Sequence, residues 1–228
     1  MTFITLLAII ALIIHLFVKQ NQQEANDRAI QTAPPPSRGE DSERDLVRFL
    51  LRYGISPNAI FHDAYFHYSY DHYTQTDVIV ATKVGIIVFE VKDYSGWIFG
   101  DGNHKNWTQV LAYGAEKHRF YNPILQNKTH IEVIKNQLHQ FQSIPFFSVI
   151  VFFGDCTLKS ISNIPPNTYV IYASDIKQCL DIIINNNPFA PYTNKWDVVN
   201  TLKAGVKNGE NKDIIFKHRT DIHNRHIY

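Results

Sequence analysis

Three charged side chains interrupt the most apolar part of this chain: Asp77, Glu90 and Lys92. The stretch Thr76–Tyr94 reads as two β-branched runs folded back through a short turn containing Gly85, the pattern of a hairpin. Side chains alternate along a strand, so Glu90 and Lys92 share a face about 7 Å apart. A two-residue turn at Lys83-Val84 sets Asp77 opposite Glu90, whereas a turn at Val84-Gly85 sets it opposite Lys92. Either register gathers all three on one face. Two carboxylates and a lysine converging on a sheet make a candidate site for a hard divalent cation and a hydrolytic reaction.

The elements that must position them follow in order. Apolar positions Leu46, Val47, Phe49 and Leu50 form one stripe of a helix over residues 42–53, capped by Ser37 or Asp41 and ended by Gly54. Residues 59–70 are rich in aromatics and read as a first strand, ahead of the hairpin. Residues 96–100 and 107–111 flank a turn at Asp101-Gly102-Asn103 and read as a second, smaller hairpin. Asn122-Pro123 opens a helix expected over residues 124–141. Phe146–Phe153 is a continuous apolar run of the kind buried on both faces of a sheet. A further strand is expected at Thr168–Tyr172, then a helix capped by Ser174 and reaching Ile184. Another helix runs from Trp196 to about Lys203, followed by a polar tail carrying Lys217, His218, Arg219 and Arg225. The order of helix, three antiparallel strands, helix and strand predicts an α/β sheet with helices packed on it.

Composition narrows the class. With 228 residues, 45% hydrophobic and 13% aromatic, the chain has material for one well-buried domain, and global disorder is excluded. A formal net charge of +1 gives no whole-chain attraction for a polyanion, so any nucleic-acid surface must be a local patch. Lys105, Lys117, His118 and Arg119 offer such a patch, although a solvated face explains them as well. Trp97 and Trp107 read as sheet-packing aromatics. Two cysteines, Cys156 and Cys179, fit a reducing compartment and show no metal-ligand spacing. His62, His67 and His72 read as surface or packing residues.

Phe3–Val18 is a nearly continuous apolar run, about 25 Å long as a helix and at the short end of what spans a bilayer. No Lys or Arg precedes it and no small-x-small site follows it, so an uncleaved anchor is expected rather than a signal peptide. Lys19, Arg28 and Arg38 follow the run, which places the remainder in the cytoplasm of a single-pass cell-membrane protein. The domain organisation is then an anchor over residues 1–19, a disordered polar and Pro-rich linker over 20–38 and a catalytic-type domain over 39–153. A C-terminal extension over 154–228 completes the fold.

Taken together, Asp77 and Glu90-x-Lys92 resemble the PD-(D/E)XK core of restriction-endonuclease-like nucleases, and the chain more narrowly resembles the nuclease-related domain (NERD) family. The matching pieces are Gly39-Glu40-x-x-Glu43, Thr76–Val80, Gly85–Lys92 with Tyr94 and Gly96, Trp107-x-Gln109, and Asn122-Pro123-Ile124-x-Gln126-Asn127-x-x-His130-Ile131. They span about residues 39–153. Thr76 departs from the superfamily's proline, and Val78 from the histidine often found in the family.

The resemblance implies a restriction-endonuclease-like central mixed sheet flanked by helices. It implies that Asp77, Glu90 and the Val91 carbonyl hold Mg²⁺ or Mn²⁺, and that Lys92 assists the attacking water. Glu43 on the first helix and Gln126 on the later helix are implied to approach the same site. The implied partner is nucleic acid, with DNA placed ahead of RNA. The competing expectation is a non-catalytic nucleic-acid-binding or protein-interaction module. On the plainer reading, Asp77 is a strand-edge charge, Glu90–Lys92 a same-face ion pair, Glu43 a solvated helix residue, and Gln126 and Asn122 helix-entry hydrogen-bonders.

Overall fold

The structure, a computed structural model, describes residues 3–31, 40–69, 72–111 and 114–225. Its first helix, α1 (Phe3–Gln31), carries the apolar run and continues beyond it, so residues 20–31 of the expected tether are helical. Gln, Glu, Ala and Arg are good helix formers, and a helix already nucleated extends through them without a second nucleation step. The large apolar side chains from Ile9 to Val18 stand exposed, and no helix of the described residues is long and apolar enough to cross a membrane. Pro34-Pro35-Pro36 and the candidate cap Ser37 lie outside the described residues. The next helix, α2 (Glu40–Tyr53), already contains Asp41, which is therefore not its cap.

Three long strands follow: β1 (Ile60–Ser69), β2 (His72–Thr82) and β3 (Gly85–Asp93). The turn between β2 and β3 is Lys83-Val84, with Thr82 paired to Gly85. Gly85 has φ +144°, and a Cβ there would lie 2.3 Å from the Pro145 carbonyl oxygen, so the turn requires glycine. Then come β4 (Gly96–Asp101), β5 (Asn106–Leu111), β6 (Glu116–Tyr121), α3 (Pro123–Lys135), β7 (Phe146–Phe153), β8 (Cys156–Ser162) and β9 (Thr168–Tyr172). Helices α4 (Ile176–Asn186), α5 (Lys195–Gly209) and α6 (Lys212–Arg225) complete the order.

The strands form two mixed sheets. The first runs β1-β2-β3-β7-β9, antiparallel up to β3 and parallel beyond it. One face packs on α2 and α4 through Leu46, Leu50, Ile87, Phe89, Val149, Leu180 and Ile183. The other packs on α3 and α5 through Ile79, Val88, Ile134, Val198 and Leu202. Ile86, Ile87 and Val88 are fully buried, each such side chain contributing about 1.5–3 kcal/mol. The second sheet runs β6-β5-β4-β8. Its inner face joins the first through Ile98, Trp107, Ile124, Ile150 and Phe152, with the Trp107 and Phe152 rings stacked 6.3 Å apart.

Several boundaries differ from the sequence expectation. The helix expected to reach residue 141 stops at Lys135, and Phe141 is buried instead by a short 3-10 turn, His139–Gln142. Gln137 marks the break, its side chain donating to the carbonyls of Val133 and His67. Ser174 does not cap α4: it lies in a 3-10 turn (Ala173–Asp175), and its hydroxyl donates to the Asp175 carboxylate. The polar tail is helical as α6, held to β2 by His218 Nδ1 at 2.8 Å from the Tyr73 carbonyl and by the His72–Asp221 pair. The smaller hairpin expected at residues 96–111 is present as β4–β5, but β6 and β8, which extend it into a four-stranded sheet, are absent from the sequence reading.

Candidate functional site

The Lys83-Val84 turn selects the first of the two registers, and continuing the ladder from Val78↔Phe89 brings Asp77 opposite Glu90. The β2–β3 ladder ends at that Val78↔Phe89 pair, while β2 remains paired to β1 as far as His72. The two strands therefore fork at Asp77. In the fork, the Val91 N–H donates to Asp77 Oδ2 at 2.7 Å, so a side chain replaces the missing strand partner. A strand residue presents its N–H and carbonyl to the same neighbour, so the Val91 carbonyl also faces the gap.

Glu90 is 1% exposed, deep in the central strand. Lys92 Nζ lies 2.5 Å from Glu90 Oε1 and also donates to Gln126 Oε1 at 3.2 Å. His130 Nε2 lies 3.3 Å from Glu90 Oε2, close enough for ion pairing but without the alignment of a hydrogen bond; both atoms are buried and otherwise unpartnered. The other ring nitrogen, Nδ1, is 2.6 Å from Thr74 Oγ1. Asp77, Glu90, Lys92 and Gln126 are thus brought together, with His130 and Thr74 added.

Helix α3 holds its two residues in place through its first turn. Asn122 caps it by accepting from Ile124 N–H at 2.9 Å, and Pro123 occupies the first helical position. The Asn122 amide also donates to the carbonyls of Asp101, Gly102 and His104, tying the helix start to the β4–β5 turn. Asn127 Nδ2 donates to the Val88 carbonyl and to Ser148 Oγ, both at 2.9 Å, which fixes the helix rotation over β3. Gln126 and His130, four residues apart, then lie on the face toward Lys92 and Glu90.

Charge balance in the site is uneven. Burial, reinforced by the nearby Glu90 carboxylate, pushes the Asp77 carboxyl up to about 7. Burial works against ionisation of Glu90 as well, but the Lys92 ammonium and His130 more than offset it and hold its carboxyl below the usual range. Burial disfavours the Lys92 charge, yet Glu90 and Asp77 together raise its pKa. The site thus concentrates one buried ion pair beside a carboxyl poised near neutrality.

Glu43 sits in the first turn of α2, beside Ser42, whose hydroxyl donates to Asp93 Oδ2 at 2.6 Å at the end of β3. Like Asp77, it bears electrostatically on Tyr65. Among the described residues no three His, Cys, Asp or Glu side chains form a metal-binding group. A hard cation that keeps several waters needs fewer protein ligands, and the donor set of two carboxylates, one with an unsatisfied buried oxygen, suits that chemistry.

His130 and Thr74 are the site residues that sequence reasoning missed. For His130 the signal is its spacing of four from Gln126 on a helix. Thr74 lacked one, because strand alternation assigns it to the face opposite Asp77. The β1–β2 ladder skips the Asp63/Asp77 pair, and Asp63 has φ +51°. Alternation slips there: Phe61, Ala64 and Phe66 all pack into one core despite their mixed parity.

Residues 38–153, more than half of the chain, match the family described as the nuclease-related domain, NERD. The chain belongs to the NERD family. An uncharacterized protein of Bacillus anthracis is 28% identical over 196 residues, which cover 84% of this chain and 86% of the relative. No solved structure matches. The NERD match ends with β7, so β8, β9 and the three C-terminal helices lie beyond it.

Proposed function

We propose that this NERD protein is a metal-dependent nuclease that hydrolyses nucleic-acid phosphodiester bonds at the β2–β3 fork. The observation that carries this reading is the cluster of Asp77, Glu90 and Lys92 on the central strands, Glu90 buried and the other two half-buried. Taking such charges out of water costs roughly several kcal/mol that pairing only partly returns, and a merely structural sheet has no use for them. Asp77, Glu90 and the Val91 carbonyl would hold Mg²⁺ or Mn²⁺, which when bound polarises the scissile phosphate and acidifies water.

The chain's own residues supply the rest. Lys92, steadied by Gln126, orients the attacking water and offers positive charge to the developing phosphorane oxygens. His130, itself bonded to Thr74, steadies Glu90 from the side away from Lys92. Glu43 contributes acidic charge at the mouth of the site. The test is a Mg²⁺/Mn²⁺ assay of the parent on mixed DNA and RNA substrates, beside Asp77→Ala and Lys92→Ala variants whose folding is checked by circular dichroism. Cleavage lost in both variants supports the reading; cleavage equal to the parent in both sinks the site assignment.

Placement at the cell membrane is part of the same proposal. The exposed apolar surface of α1 from Ile9 to Val18 supports insertion of this segment into lipid, with the NERD domain on the cytoplasmic side. Protease added outside intact cells then spares the domain; its digestion reverses the orientation.

A further inference from the structure

The second sheet turns its inner face to the core through Ile98, Trp107 and Phe120; its outer face carries one buried side chain, Val110, and otherwise half-buried or exposed ones. Register fixes what that outer face carries. Trp97 pairs with Val110, which pairs with Lys117; Phe99 pairs with Thr108, which pairs with Arg119. Phe99 is 37% exposed and Tyr121, one step further along β6, is 43% exposed. Trp97 is half-buried, and neither it nor Phe99 nor Tyr121 joins any of the three core clusters. Lys159, the extra residue where β8 bulges against β4, sets its ammonium 5.0 Å from the Trp97 ring centre.

The charge on this face is one-sided. Lys117, Arg119 and Lys159 are exposed. Among the described residues of the face, the acidic one is Asp101 at one corner, whose carboxylate is engaged by Ser162 Oγ, Asn163 Nδ2 and the Asn103 N–H. Glu116 shares its parity with Phe120 and so belongs to the inner side, 3.7 Å from His118. Aromatic rings repeating at i and i+2 on a strand lie about 7 Å apart, a step that suits successive unstacked bases, with cations beside them for the phosphates. A duplex keeps its bases in the stack, where such rings cannot reach them.

We propose that the outer face of the β6-β5-β4-β8 sheet binds single-stranded nucleic acid, with bases stacking on Trp97 and Phe99 and phosphates meeting Lys117, Arg119 and Lys159. This names the substrate form for the nuclease reading and takes its role from that reading, while binding itself stands apart from cleavage. β4 begins at Gly96, a short step along the chain from Lys92, and Tyr94 between them packs on Phe120 at 4.7 Å. The strand that carries Trp97 and Phe99 thus follows directly in the chain on the strand that carries Glu90 and Lys92.

The test uses the full chain in detergent with EDTA, so that no cleavage intervenes, and a fluorescein-labelled single-stranded 15-mer beside its duplex. The parent binds the single strand more tightly, with quenching of tryptophan fluorescence. The Trp97→Ala, Phe99→Ala double variant weakens single-strand binding by about ten-fold or more. The Lys117→Ala, Arg119→Ala variant lowers the slope of log affinity against log salt by about one to two. Duplex binding as tight as the single strand, no quenching in the parent, or an unchanged salt slope overturns the proposal, even if the aromatic variant fails to fold. Loss of vesicle binding rather than oligonucleotide binding in the same variants makes the occupant an anionic membrane and also overturns it. Unchanged affinity alongside Asp77-dependent cleavage sinks this inference alone. Aromatic-dependent binding with no cleavage of any substrate sinks the nuclease reading alone.

Discussion

The two sheets of this protein break the usual rule of burial in opposite directions. In the five-stranded sheet, charge is buried: Glu90 is almost wholly enclosed, with Lys92 and His130 around it. In the four-stranded sheet, aromatic surface is exposed at Phe99 and Tyr121. Neither departure helps folding, since buried charge is costly and exposed aromatics forgo burial. Each is what a site for a charged, ring-bearing polymer requires: the first suits chemistry at a phosphate, the second suits holding a base. On the proposed reading, cleavage and grip fall to different sheets.

The largest expected effect tests that division directly. Asp77→Ala or Lys92→Ala lowers single-turnover cleavage by about 10³-fold while oligonucleotide affinity stays within a few-fold, because a group acting on the reacting phosphate is removed. The Trp97→Ala, Phe99→Ala variant does the reverse, raising KM and leaving kcat within a few-fold. A kcat loss in the aromatic variant that matches Asp77→Ala merges the two sheets into one site.

A comparison within the second sheet comes next. Trp107 is 1% exposed and has Gly100 directly beneath it, where a Cβ would sit 2.3 Å from the indole. Trp107→Ala is expected to destabilise by about 3–5 kcal/mol in urea unfolding, and Trp97→Ala by about 1 kcal/mol or less. Equal costs mean that Trp97 is packed as a core residue and the face is not open.

Smaller effects belong to the first sheet. His130→Asn, which removes the ring beside Glu90, is expected to slow cleavage about 10–100-fold and to weaken Mn²⁺ affinity in parallel, as measured by titration. The last prediction concerns pH. With the folded Asp77 carboxyl near 7 and its unfolded value near that of a free aspartate, the folded chain binds more protons than the unfolded one between about pH 4 and 7. Stability from this group therefore falls as pH rises through that window. Asp77→Asn matches the parent near pH 4 and exceeds it by about 1–2 kcal/mol at pH 8 in denaturant titrations. Equal stability at both pH values removes the buried-charge side of the comparison.

What was legible in the sequence follows the same physical division. The β2–β3 hairpin and β7 announce themselves because buried central strands carry long apolar runs, and the edge strand β9 does so through its aromatic and β-branched residues after Pro165-Pro166. The site residues on that hairpin stood out because they are charges where none belongs. The second sheet was largely hidden. β6 begins Glu116-Lys117-His118-Arg119 and is exposed along nearly its whole length, so its only alternation signal is Phe120. In β8 the bulge at Lys159 breaks the period of two after Cys156 and Leu158 and shifts the next inward residue to Ile161. Helix α6 has a weakly patterned surface and is held by His218 and Asp221, polar contacts that no hydrophobic period records. Trp97 and Trp107 look alike in sequence, and only the register separates the buried one from the open one.

The bond between the Val91 amide and Asp77 gives the fork a natural reporter. An ordinary ladder amide reads out its neighbour's backbone, which does not titrate. This one reads out a carboxylate, so its proton resonance and its exchange with solvent deuterium change as Asp77 gains a proton or turns toward a bound ion. A single backbone signal, observed without any substrate, thus follows the occupancy of the site.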